Sequence, residues 1–224
     1  MSTHESELSK EFELERMILF SDAVFAIAIT LLIIEIKYPD VPNGTSNAEL
    51  WTLFKPTIIG FLAFVLSFYF VGLLWSRHLE IFKYLKTYNK GVIFFNLLFL
   101  FFVVCFPFTA SGLEHFRPSF LLPVYIYFIN IALVFLSQFA LCNYIFRRRD
   151  DLSKTGYGTE KNYIFLKSKY LAVALVITVF VIVILSLLFP VNNAKIVMGV
   201  YTFPFIMVIL KRRLKRFKPV KFKQ

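Results

Sequence analysis

Apolar residues fall along this chain in long uninterrupted blocks separated by short polar stretches, and no two-residue alternation of the strand type is sustained. Six blocks read as membrane-spanning helices, at about 18–36, 57–75, 92–110, 120–146, 170–189 and 196–210. The first covers about nineteen residues, or roughly 29 Å at 1.5 Å per residue, close to the thickness of a bilayer's hydrocarbon core. After it, Pro39, Pro42 and Asn43-Gly44 signal turns. Ser46 and Glu49 then predict a capping box for the second helix. The sixth block is short and is interrupted by Gly199 and Pro204, so the pattern defines its ends least well.

Composition strengthens this picture. The chain has 224 residues, of which 58% are hydrophobic and 29 are Phe. Soluble domains average about 45–50% apolar residues, so the expected class is an all-α polytopic membrane protein. The net charge of +11 does not point to nucleic acid, because the basic residues are not interleaved with aromatics on one amphipathic surface. They sit in alternate connections instead. Arg77, Lys83, Lys86 and Lys90 lie between the second and third blocks. Arg147, Arg148, Arg149, Lys154, Lys161, Lys167 and Lys169 lie between the fourth and fifth, and a run from Lys211 to Lys223 follows the sixth. The other connections hold only Lys37, Lys55, Arg117 and Lys195. Positive residues favour the cytoplasmic side, so an even number of spans is expected, with both termini cytoplasmic and the protein multi-pass in the cell membrane. Residues 1–215 read as one six-helix domain and 216–224 as a basic tail, which suits anionic lipid head groups.

Little else in the chain suggests a chemical centre. Cys105 and Cys142 both lie in apolar blocks and read as buried free thiols. The glutamate-rich start, Glu5 to Glu15, lacks the basic n-region of a leader peptide, so the first block is expected to be retained. Phosphate-loop, dinucleotide, nucleophile-elbow and metal motifs are missing, and His4, His78 and His115 are scattered. No catalytic residue, metal or cofactor is expected. Thr155-Gly156-Tyr157-Gly158 is similar to a potassium-channel carbonyl filter but lacks its valine. It also lies in a charged connection without a pore helix, so it reads as a glycine-rich loop. Asn43-Gly44-Thr45 fits the glycosylation sequon and equally a turn.

The first block carries the one chemical anomaly, since it places Ser21, Asp22 and Thr30 among apolar residues and ends at Glu35. A carboxylate inside a membrane helix is costly and calls for partners. At about 100° per residue, Ile27, Thr30, Leu31 and Ile34 share one face, while Asp22 points about 140° away from Ile27. Periodicity alone leaves open whether that stripe is a packing seam or a pore wall. Trp75, His78 and Asn96 fall at the depth of Ser21 and Asp22 and are candidate partners.

Arg16-x-x-x-Phe20-Ser21-Asp22, followed by Ala26-Ile27-Ala28-Ile29-Thr30-Leu31-Leu32, closely resembles the first-helix signature of the transmembrane-protein-175 family of potassium channels. Trp75-Ser76-Arg77-His78 and Asn96-Leu97-Leu98-Phe99-Leu100 are similar to its second and third helices. A single six-span repeat looks like the prokaryotic form. The resemblance implies a homotetramer around a central pore lined by the first helix, with potassium as the permeant ion and no carbonyl filter. It further implies Ile27 as the apolar constriction, Leu31 and Ile34 as further pore-facing rings, and Thr30 as a selectivity layer. Arg16, Phe20, Ser21, Asp22, Trp75, His78 and Asn96 match a structural polar network.

A ring of four isoleucines would exclude water and close by dewetting, and Glu35 near the outer mouth would concentrate cations by its field. Glu35 also reads as a solvated helix end beside Lys37. The competing expectation is a proton-coupled transporter titrating Asp22 and His78. The lack of broken helices or an inverted repeat in the sequence weighs against it. An intramembrane hydrolase has too few His and carboxylate residues at membrane depth.

Overall fold

The computed structural model describes residues 3–34, 36–115 and 121–188, together with 206, 209, 210, 212 and 214. Helices account for nearly all of this, in the order α1 (Thr3–Ile34), α2 (Asn47–Phe82), α3 (Lys90–Val104), α4 (Phe106–Ser111), α5 (Leu122–Asn143) and α6 (Gly158–Leu188). Five segments among the described residues are long and apolar enough to cross a membrane: Glu11–Ile34, Asn47–Phe82, Lys90–Ser111, Leu122–Arg148 and Gly158–Leu188. The expected sixth span lies almost wholly outside the described residues, and the 216–224 tail lies outside them entirely.

α1, α2 and α6 begin well before their apolar blocks, whereas α5 stays within its own. Hydropathy marks where lipid begins and ends, whereas the ends of a helix are set by its backbone hydrogen bonding. The second block was expected at 57–75, yet α2 has 36 residues, about 54 Å at 1.5 Å each. Its start is set by the Ser46–Glu49 capping box. The Ser46 side chain accepts from the Glu49 amide, and the Glu49 carboxylate accepts from the Ser46 amide at 2.9 Å. In the same way α6 begins at Gly158, so Lys161, Lys167 and Lys169 stand on its first turns and not in a loop. The third block is also not one helix. Cys105 separates α3 from α4. Pro107, in the first turn of α4, has no N–H to continue the ladder, and its ring disfavours the carbonyl one turn back.

α1 packs against α2, α3 and α4, while α5 joins α3 to α6. Side chains from these helices meet in two cores. In the larger, Phe25, Ala28 and Leu32 of α1 pack with Val71 and Leu74 of α2 and Phe99 of α3. In the second, Ile81 and Phe82 of α2 meet Val92 of α3 and Leu141 of α5. Gly91 lets α3 approach the end of α5, since a Cβ there would run into the Tyr144 hydroxyl. That hydroxyl is fixed by the Asn89 side chain, whose amide donates to it at 3.1 Å.

The ends of α2, α3, α5 and α6 that carry the basic residues are clasped together by their loops. Lys86 and Thr87 amides donate to the Leu152 carbonyl at 2.8 and 3.2 Å, and the Lys154 amide donates to the Tyr84 carbonyl at 2.8 Å. The expected glycine-rich loop thus flanks an isolated antiparallel bridge, Leu85 with Ser153. Beneath it, the buried Lys161 ammonium donates to Asp150 at 2.7 Å and to Ser153 at 2.8 Å. The Lys161 and Ser153 bonds hold the Asp150 carboxyl below its ordinary range.

Candidate functional site

The residues singled out by sequence gather on α1 and on the parts of α2 and α3 that face it. α1 presents two apolar faces with opposite fates. Phe25, Ala28 and Leu32 are buried against neighbouring helices, Phe25 to 1% exposure. On the other side Ile27 is 58% exposed, Ile34 65% and Leu31 39%, and Ala23 and Thr30 are open with them. The Thr30 hydroxyl has a settled orientation. It donates back to its own helix, with the carbonyls of Ala26 and Ile27 at 3.0 and 2.9 Å. A hydroxyl has one proton, so what it offers away from the helix is oxygen lone pairs. Glu35, expected at the outer mouth, lies outside the described residues.

Two separate sets of hydrogen bonds tie the other side of α1 to its neighbours. In the first, the Asn96 amide of α3 donates to Ser21 Oγ at 2.9 Å, and the Ser21 hydroxyl donates to the Met17 carbonyl at 2.9 Å. Asn96 Oδ1 lies 2.9 Å from His78 Nε2. Since the Asn96 nitrogen is committed to Ser21, its oxygen accepts, which assigns the His78 proton to Nε2. Ser21, His78 and Asn96 are all essentially sealed, at 0, 0 and 1% exposure. The His78 ring is stacked on Phe82 at 4.0 Å and lies parallel to Phe99 at 5.7 Å. Its Nδ1 has no partner among the described residues. A neutral chain of this kind suits lipid, where each interhelical bond contributes about 0.6 kcal/mol and at most about 1.7.

In the second set, Trp75 Nε1 donates to Asp22 Oδ1 at 2.9 Å. This pair is only partly covered, and Asp22 is half-buried. Asp22 and His78, the expected titrating pair, therefore have different partners. Arg16 and Phe20 are exposed, and neither joins these bonds. Arg16 makes no hydrogen bond or ion pair among the described residues.

Sequence reasoning missed Gln138. It lies on α5 at 1% exposure, and its amide donates to the Leu74 carbonyl of α2 at 3.2 Å, one turn before His78. Ser67 with Tyr127, and Asn130 with Thr109, make similar buried ties at 3.0 and 3.3 Å. The rule that drew attention to Asp22, a polar residue inside an apolar block, would have found all of them.

Comparison with known proteins places these residues in a family. Residues 16–107, which include every residue of both hydrogen-bonded sets, match the family model described as endosomal/lysosomal potassium channel TMEM175. A protein named as a potassium channel from Chryseobacterium sp. (strain P1-3) is 33% identical over 141 residues, covering 62% of this chain and 68% of the relative. The chain belongs to the TMEM175 family. The rat endosomal/lysosomal proton channel TMEM175 is 36% identical over 98 residues, covering 42% of this chain and 20% of the rat protein. The fold is also shared: a crystal structure of a lysosomal potassium-selective channel TMEM175 homolog from Chamaesiphon minutus aligns with a TM-score of 0.67. That match has 21% identity and covers 90% of this chain and 98% of the other. Both the TMEM175 fold and the membrane-spanning helices make this a membrane protein.

Proposed function

We propose that four copies of this chain form a potassium-selective channel whose central pathway is lined by the exposed stripe of α1. The observation that carries this reading is the asymmetry of α1. One face is packed and hydrogen-bonded within the protomer, and the other leaves Ile27, Leu31 and Ile34 open with the acceptor-only oxygen of Thr30 among them. The bacterial relative named as a potassium channel supports the choice of ion.

In this reading Ile27 forms the constriction, and Leu31 and Ile34 form further apolar rings. A narrow ring of branched aliphatic side chains holds water poorly and conducts only when it widens. Thr30 supplies a layer of hydroxyl oxygens to a partly dehydrated cation, and potassium gives up its water more readily than sodium does. Glu35 adds negative field at the outer mouth. Ser21, Asp22, Trp75, His78 and Asn96 hold the helix and do not meet the ion. The basic ends of the helices and the 216–224 tail face the cytoplasm of a cell membrane, where the tail meets anionic lipids. A proton-coupled transporter built on Asp22 and His78 receives less support, because those two side chains are bonded to Trp75 and Asn96 respectively.

Reconstitution into proteoliposomes tests the reading. With imposed potassium, sodium and proton gradients, potassium flux is expected to exceed sodium flux, and native mass spectrometry is expected to give a tetramer. Well-folded tetramers that pass no potassium at any voltage would overturn it. Saturable uptake driven by a pH gradient would favour the transporter.

A further inference from the structure

Between α2, α5 and α6, near their basic ends, a buried acceptor is left over. Gln138 spends its amide N–H on the Leu74 carbonyl, and its Oε1 has no partner among the described residues. The orientation of this amide follows from chemistry, since a carbonyl can only accept and the nitrogen must face Leu74. A sealed amide oxygen without a partner costs about 1–3 kcal/mol, so an arrangement that supplies one is strongly favoured.

Gln138 lines a cavity of about 10 Å³, and the other polar residues around it are Arg77, Glu80, Lys167 and Ser168. That volume is about one water molecule by the same measure, for which roughly 10–15 Å³ is needed. It is far too small for a phosphate or a lipid head group. The walls also offer the two to four polar partners a buried water needs. Ser168 is buried and makes no hydrogen bond among the described residues. Arg77 lies over the Phe135 ring at 5.7 Å, and its five N–H donors likewise have no hydrogen-bond acceptor there. Lys167 is already engaged by Glu80 at 2.9 Å.

We propose that this notch is a binding site for one structural water, which donates to Gln138 Oε1 and Ser168 Oγ and accepts from the Arg77 guanidinium. The water's two protons go to the two oxygens, and one of its lone pairs receives an Arg77 N–H. The water joins α5 and α6 to Arg77, the α2 residue between Trp75 and His78. It thereby steadies the turn of α2 that holds α1.

The test is a structure of the full-length protein in lipid nanodiscs at a resolution where ordered waters are visible. A solvent peak within hydrogen-bonding reach of Gln138 Oε1 and Ser168 Oγ is expected. Arg77 bonded directly to Oε1 with the notch closed, or an empty notch among well-ordered waters elsewhere, would overturn the proposal. Thermal melting provides a second measurement, using Gln138→Met, Ser168→Ala and the double variant. Each single change should lower Tm, and the double variant should melt no lower than Gln138→Met alone, because the shared water is already lost. Fully additive losses, or no loss in either single variant, would count against a shared water. If Gln138→Met does not fold, the solvent peak in Ser168→Ala decides: a peak of unchanged occupancy and position refutes the site, and its loss supports it.

Discussion

Two faces of α1 have nearly the same composition and opposite surroundings. Phe25, Ala28 and Leu32 are enclosed by α2, α3 and α4, whereas Ala23, Ile27, Leu31 and Ile34 are left exposed. In water this would be a fault, because exposed aliphatic surface drives burial. In lipid there is no such drive, and helices associate through packing and hydrogen bonds. The difference between the faces therefore lies in contact, not polarity. The enclosed face has its shape matched and its polar atoms paired. The open face is free to be lined up with copies of itself.

The sharpest way to break this comparison is to change matched residues on the two faces. Ile27→Asn should raise potassium leak through proteoliposomes several-fold, because a polar ring at the proposed constriction admits water. Unchanged flux would remove Ile27 from the pathway. Phe25→Ala should lower stability towards the lower end of the ~3–5 kcal/mol typical of buried Phe→Ala changes, since lipid is a good solvent for the lost ring. Ile27→Ala should leave protomer stability within ~0.5 kcal/mol. Thermal unfolding in detergent compares the two, and equal losses would erase the distinction between the faces.

Asn96→Leu comes next in size. It strands the His78 Nε2–H and takes a donor from Ser21, with an expected cost of about 1–3 kcal/mol. Thr30→Ala should change stability little while lowering the potassium-to-sodium ratio, read from reversal potentials. An unaltered ratio would mean that the Thr30 oxygens do not meet the ion. The smallest effect belongs outside the membrane. Asp150 is held below its ordinary pKa, so it contributes stability above the unfolded value that is lost as pH falls through the lower folded value. Asp150→Asn should flatten this acid-side fall in Tm and change little else.

The number and order of the first five spans were legible because long apolar blocks have few other uses. The helix ends were not, because α2 and α6 run on as helix after lipid stops, and only the Ser46 box announced one such end. The break at Cys105 had its cause in plain view at Pro107, but the apolar run passed through it unchanged. Within the candidate site, depth alone put Trp75, His78 and Asn96 beside Ser21 and Asp22. Depth could not say that Trp75 goes to Asp22 and His78 to Asn96, because that depends on helix rotation. Gln138 escaped notice because it lies on α5, far along the chain from the first helix.

The bridge between the two basic loops has a consequence for synthesis. The α2–α3 turn leaves the ribosome well before Leu152 exists, so the Lys86 and Thr87 amides must first be satisfied by water. Only when α5 has been made does Leu152 arrive to displace that water. The bridge is thus a late registration step, which sets the α2–α3 turn and the α5–α6 connection at one height.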